Sequence, residues 1–176
     1  MHIAVYLGSS PGNDPKYEKL TQQIACWLCE KGHTLVYGAG SRGLMGLLAR
    51  TVHENHGRII GVMPEFLLEI EHLYEHLDEV YMVKTMSSRK QKMIDLSQAF
   101  IALPGGPGTL EEITEIISLV RLEQIPGPCV LFNLNGYYDN LRKQLLTMIS
   151  EGFLAKDHLK HVYFIETMDE LESIFS

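Results

Sequence analysis

The sequence predicts a three-layer α/β fold in which helices cover both faces of a doubly wound, mostly parallel sheet of about seven strands. Short runs rich in β-branched and aromatic residues recur along the chain, and each is bounded by Gly or Pro. Longer segments whose apolar residues recur at helical spacing separate most of these runs. Because parallel strands are joined by long, right-handed crossovers, this alternation favours a parallel sheet.

The predicted strands follow one another at intervals that leave room for the crossover helices. In chain order they are residues 3–8, 34–40, 58–64, 80–83, 99–105, 129–134 and 162–166.

Two helices have clear apolar stripes. The first is predicted over 17–31, with Pro15 in its first turn, Asn13 or Asp14 as its cap, and a stripe of Leu20, Ile24, Trp27 and Leu28. The other is predicted over 108–122, with a stripe of Leu110, Ile113, Ile116, Ile117 and Val120. A further helix is predicted after the fourth strand, capped by Ser87 or Ser88.

The composition is that of one ordinary globular domain, predicted to span residues 1–176, because 45% of the residues are hydrophobic and 21% are charged. A formal net charge of −7 without any Lys/Arg run argues against a nucleic-acid partner. The first residues, MHIAVYLGSS, have neither a basic segment nor an apolar run of membrane length. We therefore expect a cytoplasmic protein with no membrane partner, whose three cysteines are reduced.

Three glycine-bearing loops follow strands, and in such sheets ligands bind beyond the carboxyl ends of the strands. The first loop, residues 8–15, offers the hydroxyls of Ser9 and Ser10, although a plain turn with a helix start explains it equally well. The second contains G-x-G-x-x-G at 38–43 but lacks the acidic residue of a dinucleotide site at the end of the next strand. We interpret it as a loop that delivers backbone amides near a ligand.

The third loop, within ALPGGPGTLEEITE at 102–115, has the strongest chemical signature. Gly105 and Gly106 permit close backbone approach, and Gly108 and Thr109 begin a helix whose first N–H groups lack partners. A phosphate there would gain hydrogen bonds from backbone amides and the Thr109 hydroxyl, and also the positive end of the helix dipole. The loop therefore predicts an anion-binding cradle.

Charged residues surround this predicted cradle. Glu111, Glu112 and Glu115 lie in the first two turns of its helix, and Glu112 and Glu115 share one helix edge. Negative charge near a helix N-terminus is favourable in itself, but a carboxylate beside a bound sugar phosphate could also activate water. Arg89 and Lys90, after the fourth strand, are the predicted counter-charges, and Arg89 can bind a phosphate or a purine edge with two hydrogen bonds.

Five stretches taken together resemble the LOG ("lonely guy") family of cytokinin riboside 5'-monophosphate phosphoribohydrolases, whose members were long labelled putative lysine decarboxylases. They are LGSSPGNDPKY, VYGAGSRGLMG, SRKQKM, LPGGPGTLEE and NLNGYYDNL, and they cover residues 3–150 in the family's order. The family motif P-G-G-x-G-T-x-x-E is matched in full from Pro104 to Glu112. The second family motif, Met-His-Glu-Arg-Lys, is matched only in part, because residues 86–90 read Met-Ser-Ser-Arg-Lys.

The resemblance implies a Rossmann-like homodimer that hydrolyses the N-glycosidic bond of a nucleoside 5'-monophosphate, with Arg89 and Glu112 as catalytic residues. Glu112 would orient water at the sugar, and Arg89 would stabilise the departing base or hold the phosphate. No cofactor is expected. The candidate substrate- and phosphate-binding residues are Ser10, Gly40, Ser41, Met86, Lys90, Gly105, Gly106, Gly108, Thr109, Glu111, Glu115 and Ser118, the last at a position where the family has threonine.

Two other functions use the same cradle. One is a non-catalytic nucleotide- or phosphate-binding module, and the other is a pyridoxal-phosphate-dependent lysine decarboxylase, for which only Lys90 lies near the cradle. His53/His56 and His72/His76 have one-turn spacing without a third ligand, so we expect no metal site. Cys26 and Cys29 fall inside a predicted amphipathic helix, so we expect packing and not redox chemistry from them.

Overall fold

The computed structural model describes all residues 1–176. Its strands are β1 His2–Tyr6, β2 Thr34–Tyr37, β3 Ile59–Pro64, β4 Glu79–Val83, β5 Ala99–Ala102, β6 Cys129–Phe132 and β7 Val162–Ile165. Its α-helices are α1 Pro15–Glu30, α2 Gly43–Glu54, α3 Met86–Leu96, α4 Pro107–Arg121, α5 Asp139–Ser150 and α6 Met168–Phe175. None of these helices combines the length and the apolar character that crossing a bilayer requires. All seven predicted strands are confirmed.

The strands form one sheet in the order β4-β3-β2-β1-β5-β6-β7, and every neighbouring pair is parallel. The chain builds outward from β1 through β2 and β3 to β4, then returns to place β5 on the other side of β1. The direction of winding therefore reverses between β1 and β5. Loops that leave the carboxyl ends of such a pair diverge to opposite faces and open a crevice between them.

Helices cover both faces of the sheet, which confirms the predicted three-layer α/β fold. On one face α1, α2 and α6 bury Leu28, Leu48 and Leu171, and on the other α3, α4 and α5 bury Met93, Ile116 and Leu145. The predicted stripe of α1 is buried, and so are the last four residues of the α4 stripe. The prediction for the remaining α4 residue is wrong, because Leu110 lies in the first turn beyond the sheet edge and 44% of it is exposed.

Helix α1 begins as its sequence predicts. Asp14 is the N-cap, its carboxylate accepts a hydrogen bond from the Lys16 amide at 2.9 Å, and Pro15 is the first helical residue.

Helix α3 begins at a different cap from either predicted serine. Thr85 is the N-cap, and its hydroxyl accepts from the Ser88 amide at 3.1 Å while the Ser88 hydroxyl accepts from the Thr85 amide at 3.0 Å. This is a capping box, in which Ser88 occupies the position usually taken by Glu or Gln.

Two glycines allow the three glycine-bearing loops to pack directly on one another. Gly43 has a φ of +55°, and a Cβ at this position would overlap the backbone carbonyl of Ser9 in the first loop. A Cβ at Gly105 in the third loop would overlap the Thr109 side chain and lie 2.9 Å from the Gly8 amide nitrogen. The loops after β1, β2 and β5 therefore form one layer at the edge of the crevice.

We predict that Gly43→Ala destabilises the protein more than Gly32→Ala. Both glycines have positive φ, so each substitution carries the left-handed backbone penalty of about 1–2 kcal/mol. Only the Gly43 variant adds a steric clash with the first loop, because a Cβ at Gly32 meets nothing within 4 Å, and overpacking costs about a further 1–3 kcal/mol. Urea unfolding of both variants checks this, and equal losses of stability would contradict the proposed loop packing.

Candidate active site

A cleft of about 230 Å³ opens at the carboxyl end of β1. Its walls come from the end of β1 and the loop after it, from α3 and from the start of α4, together with Gly38 after β2, Met45 in α2 and Glu71 in the connection between β3 and β4. A smaller cleft of about 180 Å³ adjoins it and shares Ser9, Met45 and Glu71. The main cleft thus lies where the topology predicts a ligand site.

Arg89 forms a buried wall of the cleft and is only 7% exposed. Its Nε donates to the carbonyl of Val62 at 3.2 Å, and its Nη2 donates to the carbonyl of Gly38 at 2.9 Å. A Cβ at Gly38 would overlap Nη2, so this residue must be glycine to leave room for the guanidinium. Two of the five N–H donors are bound in this way, and the positive charge is held in place at the cleft.

The start of α4 has the geometry of the predicted anion cradle. Gly106 is the N-cap and has no side-chain capping bond, and side chains at Gly106 or Gly108 would meet nothing within 4 Å. Both glycines therefore border open space in the cleft, beside the unpaired amides of the first helical turn. Thr109 also lines the cleft and is 4% exposed.

Two tyrosines of the NLNGYYDNL stretch hold the loop that leads into this cradle. The Tyr138 hydroxyl donates to the Leu103 carbonyl at 2.7 Å, and the Tyr137 hydroxyl donates to the Gly105 carbonyl. These two hydrogen bonds, from a segment more than 30 residues later in the sequence, fix the conformation of the loop after β5.

Glu112 lies one turn into α4 and lines the cleft together with Arg89. No hydrogen bond or ion pair within the chain engages its half-buried carboxyl group. Burial is the largest effect and raises the pKa of Glu112 to about 7. The positive charges of Arg89 and Lys90 lower this pKa, and the negative charges of Glu111 and Glu115 raise it. A carboxyl group with this pKa exchanges a proton readily near neutral pH, as a general base must.

Lys90 bridges α3 and α4 instead of facing the cleft. Its ammonium group binds the carboxylate of Glu111 and lies 3.1 Å from an oxygen of Glu115, and its side chain is 15% exposed. These partners raise the pKa of Lys90, with the Glu111 hydrogen bond the largest cause. The lysine therefore compensates two of the acids that surround the cradle.

The predicted site residues divide into three groups by position. Those that line the main cleft are Met86, Arg89, Gly106, Gly108, Thr109, Glu111 and Glu112. Gly40 and Ser41 line the adjoining smaller cleft. Those that line neither are Ser10, Lys90, Gly105, Glu115 and Ser118.

Each residue of the third group has an identifiable place outside the clefts. Ser10 is exposed beside Ser9, which does line both clefts. Gly105 packs beneath Thr109, and Ser118 lies on the exposed side of α4, where its hydroxyl donates to the Thr114 carbonyl at 3.0 Å.

Two titratable residues of the main cleft, Tyr6 and Glu71, are not predicted from the sequence. Tyr6 ends β1 beneath the cleft, is 2% exposed and makes no hydrogen bond through its hydroxyl; burial and then the Glu112 charge raise its pKa. Its position at the carboxyl end of β1, two residues before Gly8, is a signal that could have identified it. Glu71 lies at the junction of the two clefts in an irregular segment, and no motif marks it.

The histidines pair differently from their one-turn spacing. His53 and His76 stack with ring centroids 4.4 Å apart and an interplanar angle of 6°, and the Tyr74 ring meets both edge-on. No group of three or more His, Cys, Asp or Glu side chains is arranged to hold a metal ion. Cys26 and Cys29 lie within α1 as predicted, and all three cysteines are free.

Solved structures share this fold. The X-ray structure of TM1055 superposes with a TM-score of 0.73 at 18% identity and covers 99% of this chain and 97% of that one. The molybdenum cofactor binding protein from Rippkaea orientalis superposes with a TM-score of 0.68 at 19% identity, over 99% of this chain and 97% of that one. At such low identity these likenesses show the fold alone.

Other proteins are much more similar to this chain in sequence than these solved structures are. The family model described as "Possible lysine decarboxylase" matches residues 45–174. The cytokinin riboside 5'-monophosphate phosphoribohydrolase LOG of Oryza sativa subsp. japonica is 40% identical over 169 residues, which is 96% of this chain and 70% of that protein. The enzyme LOG2 of Arabidopsis thaliana, with the same activity in its name, is 41% identical over 153 residues, which is 87% of this chain and 72% of that protein. The chain therefore belongs to the LOG family of phosphoribohydrolases.

Proposed function

We propose that this protein hydrolyses the N-glycosidic bond of nucleoside 5'-monophosphates and releases a free base and ribose 5-phosphate. The observation that carries the proposal is that one cleft contains an anion cradle at the start of α4, the unpaired carboxyl group of Glu112 and the buried guanidinium of Arg89. The names of the rice and Arabidopsis relatives describe the same reaction.

The 5'-phosphate binds at the N-terminus of α4. Unpaired amides and the Thr109 hydroxyl donate to its oxygens, and the helix dipole favours its negative charge. Anchoring the phosphate fixes the ribose relative to Glu112, which lies one turn further along the same helix. Binding energy from the non-reacting end of the substrate then serves to orient the reacting bond.

Bond cleavage builds positive charge on the sugar and negative charge on the departing base. Glu112 accepts a proton from water as the water oxygen bonds to C1', and the electron pair of the breaking C1'–N bond passes to the base, which takes a proton from solvent. The fixed charge of Arg89 stabilises the negative charge that develops on the base. Because the guanidinium is already held by two carbonyls, it needs no reorganisation during the reaction.

The range of bases is part of the proposal. Where the family has His-Glu, this chain has Ser87, which is exposed, and Ser88, which caps α3. We propose that substrates include purine nucleotides such as AMP as well as cytokinin nucleotides, and that the protein acts as a homodimer, as the family resemblance implies.

The two alternative functions differ in what they require of the cleft. A lysine decarboxylase needs a lysine free to form a Schiff base, whereas the ammonium group of Lys90 is bound by two carboxylates and lies off the cleft wall. A binding module would use the cradle but would have no need of a carboxyl group whose pKa is about 7 beside it. Both observations favour the hydrolase.

Glu112→Gln should reduce turnover by about 10²–10⁴-fold, because the amide cannot accept the proton of the attacking water. The measurement is free base and ribose 5-phosphate released from AMP and isopentenyladenosine monophosphate by the wild type and the variant. Tight nucleotide binding with no product from the wild type would identify a binding module. A loss below tenfold in the variant would remove Glu112 from the role of base.

The kcat/KM of the wild type should rise with pH and level off above a midpoint near 7. Glu112 acts in its ionised form, and its pKa in the folded protein is about 7, above the ordinary value of 4.5, so activity is lost as pH falls through 7. A pH–rate profile from pH 5 to 9 checks this expectation. A plateau that extends below pH 5 would mean that the active carboxylate has an ordinary pKa.

Thr109→Val should raise the KM for AMP about tenfold by removing one hydrogen bond to the phosphate while conserving shape. Adenosine, which lacks the phosphate, should show little change in its slow turnover. Equal effects on AMP and adenosine would place the Thr109 hydroxyl away from the phosphate.

A further inference from the structure

Lys90 lies at the contact between the two helices that carry the proposed catalytic residues. We propose that Lys90 is a positioning residue: by binding Glu111 and Glu115 it holds α3 against α4, so that Glu112 faces Arg89, and it keeps the two neighbouring acids from suppressing the ionisation of Glu112. The inference rests on the proposed function and assigns Lys90 a role that differs from the substrate contact predicted from sequence.

The arrangement follows from helical geometry. Arg89 and Lys90 are consecutive on α3, so their side chains point about 100° apart, one into the cleft and the other towards α4. On α4, Glu111 and Glu115 are four residues apart and share one face, where both reach the same ammonium group. The Lys90 ion bridge therefore lies beside Arg89 and Glu112, where α3 meets α4.

The lysine of the bridge is more enclosed than that of an ordinary surface pair. Only 15% of the Lys90 side chain is exposed, while Glu111 is 58% and Glu115 is 39% exposed. In the Lys160–Glu123 pair, which spans 3.1 Å, the lysine is 55% and the glutamate 76% exposed. Exposed pairs contribute little to stability, and Lys160–Glu123 serves as a matched control of that kind.

Charged and titratable groups face Glu112 from every element packed around it. Arg89 and Lys90 act from α3, Glu111 and Glu115 from α4, and Tyr6 faces it from β1, while Glu71, in the connection between β3 and β4, lines the same cleft. Arg89 and Lys90 lower the pKa of Glu112, and Glu111 and Glu115 raise it. Neither of the other two cations of α3 is placed to replace Lys90, because Arg89 is bound to backbone carbonyls and the Lys92 ammonium lies over the Tyr81 ring at 4.2 Å.

Removal of Lys90 therefore changes the charge around Glu112 in two ways at once. It takes away a cation that favours the ionised carboxylate, and it leaves two uncompensated carboxylates that oppose ionisation. A rise in the pKa of the base from about 7 to about 8 would cut its ionised fraction at pH 7 from about a half to about a tenth, which is about a fivefold loss of rate.

The test is the pH–rate profile of Lys90→Met with AMP. We expect the acid limb of kcat to move upward by about one pH unit, with about a fivefold loss at pH 7, recovery near pH 9 and a KM within about twofold of the wild type. Lys90→Arg should restore most of the profile. The triple variant Lys90→Met/Glu111→Gln/Glu115→Gln should return the limb towards its original position, because the two opposing charges are gone.

Lys160→Met is the matched control and should leave the profile unchanged, and urea unfolding shows whether each variant is folded. A large rise in KM with an unmoved acid limb would overturn the proposal and show that Lys90 binds the phosphate directly. An unmoved limb and unmoved KM would also overturn it.

A second readout needs no turnover and separates this inference from the proposed function. The Glu112 carboxyl group can be titrated by carbon NMR in the wild type and in Lys90→Met, and its pKa should be higher in the variant. If the wild type releases no base from any nucleotide, the proposed reaction fails while this shift still decides the electrostatic role of Lys90. If the pKa is unchanged, the positioning role fails whatever the reaction.

Discussion

The site is organised by one buried interaction, the guanidinium of Arg89 bound to the backbone carbonyls of Val62 and Gly38. A buried positive charge is costly unless its hydrogen bonds are satisfied. Val62 lies within β3 and Gly38 directly follows β2, so both carbonyls are held by the sheet. Gly38 is constrained by the same contact, because any side chain there would overlap the guanidinium. The charge is thus anchored to the sheet itself.

Helix α4 supplies the complementary half of the site. Its start provides unpaired amides, its second turn provides Glu112, and a rigid helix fixes the distance between the two. Burial keeps the pKa of Glu112 near 7 even though Arg89 lowers it, so the carboxyl group remains chemically active in the range where many enzymes operate. The acids around the cradle would oppose an anion, and the Lys90 bridge offsets two of them.

Much of the secondary structure can be predicted from the sequence because it depends on interactions between residues that are close along the chain. The strand runs, the Asp14 cap and the apolar stripe of α1 follow from periodicity and capping chemistry, and the motif from Pro104 to Glu112 locates the cradle and its acid. Leu110 shows the limit of periodicity, since a helical stripe does not reveal where the helix passes the edge of the sheet. The sequence does not distinguish the true α3 cap, Thr85, from Ser87 and Ser88, because Ser and Thr are both good N-cap residues.

Features that depend on long-range packing could not be predicted. The carbonyl partners of Arg89 lie 27 and 51 residues away in sequence. Lys90 binds carboxylates of α4 and not a ligand in the cleft, and this depends on how α3 packs against α4. Gly38 lines the main cleft, but its second role, to leave room for Arg89 and accept a hydrogen bond from it, is not visible in the sequence. Tyr6 and Glu71 join the cleft only because β1 and the connection between β3 and β4 meet there.

The most direct test of the central claim is a crystal structure of Glu112→Gln with AMP bound, since this variant should retain the nucleotide. We predict the phosphate against the amide N–H groups of Gly106, Gly108 and Thr109, the side chain at position 112 within hydrogen-bond reach of a water beside C1', and Arg89 next to the base. A nucleotide whose phosphate lies elsewhere, or whose C1' is out of reach of position 112, would contradict it.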